Sequence, residues 1–264
     1  GEAGGPETQT LSFQGPTGKN VGLGLSIVND EVYVLSETHV YADFSYSIYP
    51  SENATLAFGL KAGGSFLDVD LLKLGIENDN LFSENINEFN PNIGAGAFYY
   101  TDRFYASVST VNILQTKHYD KNSSVVSSAS EEMIFYLSSG YVFDLGDDFK
   151  LRPSFMLRAV NGSPLSTDLS ASILWLDKLE FGLSHRIDES ISGLFQLRLT
   201  DNLKVGYTYD ANTNDLSNYN NGSHEFSIIL NFGKSKNPRT PPFYWMKKKN
   251  SEEIRILEEN ENEN

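Results

Sequence analysis

The stretch VGLGLSI, residues 21–27, alternates strictly between apolar side chains and small ones. One parity holds Val21, Leu23, Leu25 and Ile27, and the other holds Gly22, Gly24 and Ser26. A period of two is the repeat of a β-strand with one apolar face, because successive side chains point to opposite sides. The stretch therefore predicts a two-faced strand and not a helix.

The same alternation recurs along the chain as far as Phe232, for example in Phe44, Tyr46 and Ile48. Counting the recurrences predicts about thirteen strands, with bounds good to a few residues. They lie near residues 7–14, 18–29, 38–49, 54–67, 91–101, 103–113, 132–143, 149–160, 167–177, 179–187, 190–200, 202–209 and 223–232.

The connections between these strands alternate in length. Tight connections are expected at 15–17, 50–53, 101–102, 144–148, 177 and 201, and longer ones at 30–37, 68–90, 114–131, 161–164 and 210–222. A tight turn at Asp188 is the one exception to the alternation. Such a rhythm is expected when alternate ends of a meander lie on opposite sides of a membrane.

We therefore predict an all-β fold, a transmembrane antiparallel up-and-down β-barrel, over a soluble sandwich, barrel or propeller. The polar parity carries Gly, Ser, Tyr, Asn and charges, as suits a wet lumen, and strands of about ten residues exceed the usual soluble length. Aromatic residues cluster at strand ends, which suggests an interfacial girdle, although ordinary strand propensity explains any single one. The clusters are Tyr46 with Tyr49, Phe98 with Tyr99 and Tyr100, and Tyr207 with Tyr209.

The composition argues against several kinds of partner, site and membrane segment. The formal net charge of -15 would repel a nucleic-acid backbone. The absence of Cys removes disulfides and thiolate metal sites. No apolar run approaches the roughly 18–20 residues that a membrane helix needs.

The sequence carries no catalytic motif. The four histidines, His39, His118, His185 and His224, lack metal-binding spacing. The short glycine runs at 22–24 and 94–96 lie inside alternating stretches and do not open a helix. We therefore expect no enzymatic activity, no cofactor and no metal.

Charged residues on the polar parity would face the lumen and either line a channel or lock a filled interior. Both signs occur, so no ion selectivity follows. These residues are Asp43, Lys61, Arg152, Arg158, Asp168, Arg198 and Lys204.

The alternating pattern ends at Phe232, and the composition changes after it. We therefore divide the chain into a barrel, residues 1–232, and a C-terminal tail, residues 233–264. The tail is basic and polar at first and acidic from Ser251, so it cannot bury much surface. Its candidate partner-binding residues are Phe243, Tyr244 and Trp245, which follow two prolines. The connection at 210–222 supplies three more candidates, Ser217, Tyr219 and Asn220, because binding residues often lie on loops.

Long ordered segments of this chain resemble the PorP/SprF family of type IX secretion system membrane proteins of Bacteroidota. The resemblance covers nearly the whole chain. It is carried by GGPETQTLSFQGP (4–16), GKNVGLGLSIVND (18–30), NPNIGAGAFYYTDRFYASVS (90–109), GYVFDLGDDFKLRPSFMLRAVNGSPLSTDLSA (140–171), YTYDANTNDLSNYNNGSHE (207–225) and GKSKNPRTP (233–241).

The resemblance implies a non-enzymatic outer-membrane barrel that binds and anchors, or helps export, secreted surface proteins such as adhesins, in some species for gliding motility. Its implied partners are periplasmic and lipoprotein components of the secretion system and the C-terminal domains of secreted proteins. The long loops would be extracellular and the C-terminal tail periplasmic. An outer-membrane channel for small or hydrophobic solutes is the alternative function.

Family members usually begin with a segment that contains an Asn-Pro-Ala-Tyr motif and a first strand, and neither is present here. One such strand added to about thirteen would give about 14, the even number that bacterial single-chain barrels have. The acidic extension after Trp245 is not part of the resemblance.

Overall fold

The computed structural model describes residues 5–18, 20–74, 85–114, 132–214 and 221–232. Its secondary structure is one antiparallel sheet and one 3-10 helix, Leu71–Leu74. The strands are β1 (Glu7–Pro16), β2 (Val21–Val32), β3 (Leu35–Ser51), β4 (Ala54–Val69), β5 (Ile86–Thr101), β6 (Phe104–Val111), β7 (Ile134–Tyr141), β8 (Phe143–Asp144), β9 (Phe149–Val160), β10 (Ser166–Trp175), β11 (Leu179–Arg186), β12 (Ser190–Arg198), β13 (Leu203–Asn212) and β14 (Ser223–Leu230).

The sheet is an up-and-down meander. Every strand pairs antiparallel with its neighbour in the chain, except that β9 pairs with β7 and also with the two-residue β8. The order ends at β1 on one side and β14 on the other, and these two strands are not hydrogen-bonded neighbours. The predicted fold class, an all-β antiparallel up-and-down barrel, is confirmed. Among the described residues, no helix is long and apolar enough to cross a membrane.

The two ends of the sheet differ in their connections. The short-turn end holds the connections 17–20, 52–53, 102–103, 145–148, 176–178 and 199–202, together with the last residue of β14. The long-connection end holds 33–34, 70–85, 112–133, 161–165, 187–189 and 213–222. The names short-turn end and long-connection end are used below.

The apolar parity forms an outward face and not a core. Phe44, Leu60 and Leu230 are 44%, 61% and 55% exposed. Among the described residues the buried apolar side chains are only Ala54, Val142 and Leu174. A soluble sheet protein would bury its apolar parity, whereas a membrane barrel turns it toward lipid.

One predicted connection is wrong. We expected a long connection over 30–37, but β2 continues to Val32, β3 begins at Leu35, and Tyr33 and Val34 alone turn the chain. Tyr33 takes a positive φ of 57°, the conformation that such a two-residue turn requires. The long-connection end therefore has two tight turns, at 33–34 and at 187–189.

Two other predicted bounds differ from the structure. The strand expected from residue 91 begins at Ile86, where it pairs with Val69 of β4. The strand expected over 132–143 is interrupted at Val142, which separates β7 from β8. In both places the pairing with the partner strand, and not the local alternation, determines where the strand begins or ends.

The predicted aromatic girdle is wrong in part. Successive residues point to opposite faces, so Phe98, Tyr99 and Tyr100 cannot all meet lipid. Phe98 and Tyr100 lie on the polar face, 5.4 Å apart between ring centroids, and Tyr49 and Tyr100 line a cavity there. Tyr46, Tyr207 and Tyr209 are on the apolar parity, as expected.

Candidate functional site

Ion pairs join neighbouring strands on the polar face. Asp43 and Lys61 are direct cross-strand partners on β3 and β4, and the Lys61 Nζ lies 2.8 Å from the Asp43 Oδ1. The same ammonium stands 4.9 Å from the centroid of the Tyr41 ring. Because the two opposite charges neutralise each other, this pair adds no net charge to the lumen.

A second ion pair joins β10 and β11 near the long-connection end. The Arg186 guanidinium donates to both carboxylate oxygens of Asp168, from Nε at 2.7 Å and from Nη2 at 3.4 Å. Its Nη1 also lies 3.6 Å from Glu189 in the following turn. Such bidentate geometry fixes the guanidinium as well as its charge.

A third pair reaches diagonally across β10. The Arg152 Nη2 donates to the Glu180 Oε1 at 2.9 Å, and Glu180 is only 3% exposed. Lys150, on the same strand as Arg152, pairs with Asp177 at 3.3 Å. These contacts tie β9 to β11 and to the turn before β11, close to the short-turn end.

Neutral pairs continue the cross-linking between the ion pairs. Ser107 and Ser138 hydroxyls are 2.7 Å apart, as are those of Ser170 and Ser184. The buried Asn92 amide donates to Asn112 at 2.9 Å. Side chains on the polar face therefore bind one another from strand to strand, which stiffens the wall of the lumen.

The remaining sequence-predicted charges are not part of these three pairs. Arg158 is exposed on the polar parity of β9. Arg198 of β12 stands directly opposite Lys204 of β13, so two cations face each other across one strand pair. Sequence reasoning missed Glu180, Arg186 and Asp210, although each falls on the polar parity of its strand and could have been found there.

A cavity of about 630 Å³ lies against the polar face of β1 to β6, in the half nearer the short-turn end. Gly24, Gly59 and Gly94 expose bare backbone in its wall, and the Asp43 and Lys61 pair also lines it. A Cβ at Gly94 would come within 3.0 Å of the Thr110 carbonyl oxygen, so larger residues there would disturb the wall.

Aromatic rings crowd the apolar face at both ends of the sheet. At the short-turn end Phe149 stacks on Trp175 with centroids 6.2 Å apart, and Tyr141 meets Phe143 at 4.7 Å. At the long-connection end His224 lies between Tyr207 and Tyr209, and Tyr207 also meets Phe226 at 5.1 Å. Two separated aromatic belts are the anchors that barrels place at the two membrane interfaces.

No group of three or more His, Cys, Asp and Glu side chains in the described ranges could hold a metal ion. The candidate partner-binding residues Phe243, Tyr244 and Trp245 of the tail, and Ser217, Tyr219 and Asn220 of the last connection, lie outside the described residues.

An antiparallel meander with an apolar outer face, two aromatic belts and an ion-paired polar interior defines an outer-membrane β-barrel. Sequence comparison identifies the family within that class. Residues 1–230 match the type IX secretion system membrane protein PorP/SprF family, and the chain belongs to it. The resemblance found in the sequence is confirmed, and other components of that secretion system are the partners that membership implies.

Other comparisons add little. Comparison with curated protein sequences finds no match. Two mutants of the Rh. blastica porin resemble the fold at 8% identity. One covers 86% of this chain and 90% of its own, with a TM-score of 0.36. The other covers 85% and 88%, with a TM-score of 0.33.

Proposed function

We propose that this membrane component of the type IX secretion system catalyses no reaction. It binds and anchors, or helps export, secreted surface proteins such as adhesins, and it docks periplasmic or lipoprotein components. The observation that carries the proposal is the contrast between a cross-linked lumen wall and long connections gathered at one end. A stiff wall suits a scaffold, and long connections offer the contact surface.

The same contrast between the two ends supports one orientation of the barrel across the membrane. Barrels of this class place short turns in the periplasm and longer loops outside the cell. The long-connection end is therefore extracellular and meets the exported protein. The chain leaves β14 at the short-turn end, so the tail enters the periplasm, where Phe243, Tyr244 and Trp245 offer aromatic anchors to a partner.

Affinity purification from native membranes in mild detergent tests both contacts. Replacing Phe243, Tyr244 and Trp245 by Ala should remove periplasmic and lipoprotein components from the eluate. Replacing Ser217, Tyr219 and Asn220 by Ala should remove the exported protein and leave the periplasmic components bound. Asn262→Ala and Asn264→Ala in the tail serve as the matched control. Unchanged recovery in both triple variants would contradict the proposal.

One observation favours transport of small solutes as a second candidate. The cavity beside β1 to β6 contains the Asp43 and Lys61 pair, as a permeation path could. Planar bilayers that hold the purified protein test this function. Conductance that changes in Lys61→Ala would support a channel, and a silent bilayer would remove it.

A further inference from the structure

Three successive turns at the short-turn end of the sheet each begin with an exposed leucine. Leu145, Leu176 and Leu199 are the first residues of the turns that follow β8, β10 and β12, and they are 52%, 49% and 53% exposed. The short turns that follow β1, β3 and β5 contain no apolar residue. The exposed leucines are therefore confined to one half of this end of the sheet. We call these three leucines the leucine rim.

Backbone hydrogen bonds join the three turns into one continuous edge. The Leu176 amide donates to the Asp148 carbonyl at 2.8 Å, and the Arg198 amide donates to the Lys178 carbonyl at 2.9 Å. Neighbouring strands lie about 5 Å apart, so successive turns of this edge are about 10 Å apart and the leucine rim spans about 20 Å. A row of that length is comparable to the width of a standard protein interface, which buries about 800 Å² on each partner.

Leu176 has a strained backbone conformation that does not suit a leucine. Its φ is 52°, and the first position of such a turn prefers asparagine or glycine. Strain of this kind clusters at functional sites, where the strained residue serves a purpose. An asparagine would relieve the strain and suit a membrane interface equally, so lipid contact gives no reason for a leucine here. Contact with an apolar surface of another protein does.

Acidic side chains flank the leucine rim and indicate the charge of its partner. The three turns contain four aspartates and one lysine. Asp177 pairs with Lys150 at 3.3 Å, whereas Lys178 is exposed. The exposed aspartates of these turns are Asp147, Asp148 and Asp201. This edge repels the anionic phosphates of a lipid surface and attracts lysine and arginine side chains.

We propose that the leucine rim and its exposed aspartates form a docking surface for a periplasmic protein that presents apolar side chains flanked by lysine or arginine. The apolar side chains of the partner cover the three leucines, and its cations pair with the aspartates at the margin of the contact. The inference rests on the proposed function, because it requires the short-turn end to face the periplasm. It adds a contact on the barrel itself to the contact proposed for the tail.

Photo-crosslinking of the full chain in native membranes tests the surface. A benzophenone amino acid in place of Leu176 or Leu199 should cross-link to the same periplasmic protein from both positions. The cross-linked peptide of that protein, identified by mass spectrometry, should contain lysine or arginine beside apolar residues. Asn53, exposed in the short turn between β3 and β4, is the matched control position and should give about tenfold less product.

Charge variants then test the chemistry of the partner. Replacing Asp147, Asp148 and Asp201 by Asn should lower the cross-link yield about tenfold, because three exposed ion pairs are lost. Raising the salt concentration should lower the yield of the unsubstituted chain more than that of this variant. Glu52→Gln with Asp102→Asn, at the same end of the other half of the sheet, is the matched control and should leave the yield unchanged.

Leu176→Asn separates docking from folding. It should lower the cross-link yield from position 199 about tenfold, because an apolar contact at the centre of the surface is lost. The same variant should raise the urea midpoint of the protein, because it relieves the strain of the turn. Lower stability with an unchanged yield from the folded protein would mean that the leucine has only a structural role, and would contradict the proposal.

Adducts with lipid alone at positions 176 and 199 would overturn the proposal, and so would a protein cross-link that the aspartate variant leaves unchanged. The affinity purification keeps this failure apart from that of the proposed function. If the unsubstituted chain recovers periplasmic components while both positions label only lipid, the docking surface alone is wrong. If it recovers none, the proposed docking of periplasmic components is wrong as well.

Discussion

At the scale of single residues, two glycines of the sheet leave space for tyrosine rings from the neighbouring strands. The Tyr105 ring lies over Gly140, its cross-strand partner, and Tyr41 lies over Gly63 in the same way. A glycine in a strand loses packing, and an aromatic ring from the next strand restores it. These pairs help fix the register between the two strands that each of them joins.

Gly140→Ala should destabilise the protein by about 1–3 kcal/mol, because its Cβ would overlap the Tyr105 ring and force it out of its position. Urea unfolding of the protein in lipid vesicles measures the loss. Gly193→Ala is the matched control in a strand, since nothing lies within 4 Å of its added Cβ. Its stability should change by less than about 0.5 kcal/mol. Equal losses in the two variants would contradict the role of the ring.

The burial of an ion pair determines how much it contributes to the stability of the protein. The Asp168 to Arg186 pair and the Asp144 to Arg103 pair have the same shortest distance, 2.7 Å. Asp168 is nearly buried, with 11% of its side chain exposed, whereas 46% of the Asp144 side chain is exposed. Water screens the second pair, while loss of the first removes the bidentate, nearly buried anion of Arg186 and leaves it only the more exposed Glu189, 3.6 Å away.

Asp168→Asn should therefore lower the free energy of unfolding by about 1–3 kcal/mol. Asp144→Asn should lower it by less than about 1 kcal/mol. Both values come from unfolding titrations at one pH and one ionic strength, and raising the salt concentration should shrink the second loss further. Similar losses at the two sites would show that screening inside the lumen matches that at the surface.

At the scale of elements, the tight turn expected at Asp177 forms between β10 and β11 but with an unfavourable residue. Leu176 and Asp177 both have positive φ, 52° and 54°, and the Lys178 amide donates to the Trp175 carbonyl at 3.0 Å. Two positive φ values define a turn that prefers Asn and Gly. A leucine there is strained by its Cβ.

Leu176→Asn should stabilise the protein by about 0.5–1 kcal/mol, because asparagine tolerates positive φ. Thermal or urea unfolding in vesicles should show a higher midpoint. Gly146→Ala gives the opposite test in the turn before β9. Its added Cβ meets nothing within 4 Å, but its φ of 87° strains any side chain. That variant should lose about 1 kcal/mol. A loss in Leu176→Asn would mean that the leucine has a packing role that outweighs its strain.

Much of the element pattern could be predicted from local alternation, and its failures have a common cause. The stretch INEFNPN, residues 86–92, breaks the alternation with asparagines and a proline, yet it pairs residue by residue with residues 63–69 of β4. Hydrogen bonds to the extended strand β4 hold these residues in a strand although their own sequence pattern does not indicate one. The candidate site shows the same limit: parity placed Arg152 and Asp168 on the polar face, but register alone revealed Glu180 and Arg186 as their partners.

At the scale of the whole molecule, the directions of the two edge strands, β1 and β14, limit how the sheet can close into a barrel. β1 and β14 both run from the long-connection end to the short-turn end, so they would meet in parallel. Unpaired edge groups in lipid each cost several kcal/mol. A strand that runs the other way can pair antiparallel with both edges, and the seam should be filled in this way in the membrane.

Cysteine pairs test the seam. Phe13→Cys with Ile228→Cys, on β1 and β14, should not form a disulfide in native membranes, because an intervening strand holds the two Cα atoms about 10 Å apart. Phe13→Cys with Leu25→Cys joins direct partners on β1 and β2 and is the control that should cross-link. A disulfide between β1 and β14 would show instead that the two edges meet directly.

The outward apolar face gives the most direct test of the membrane fold, because a charge placed on this face is costly if the face meets lipid and tolerated if it meets water. Leu60, 61% exposed on β4, should meet lipid near the middle of its strand. Leu60→Arg should cost about 2–4 kcal/mol in vesicles, since it places a cation in hydrocarbon. Leu72, 59% exposed in the connection beyond β4, is the matched control, and Leu72→Arg should change stability by less than about 0.5 kcal/mol. If arginine were tolerated equally at both positions, the apolar face would be facing water, and the protein would not span a bilayer through this sheet.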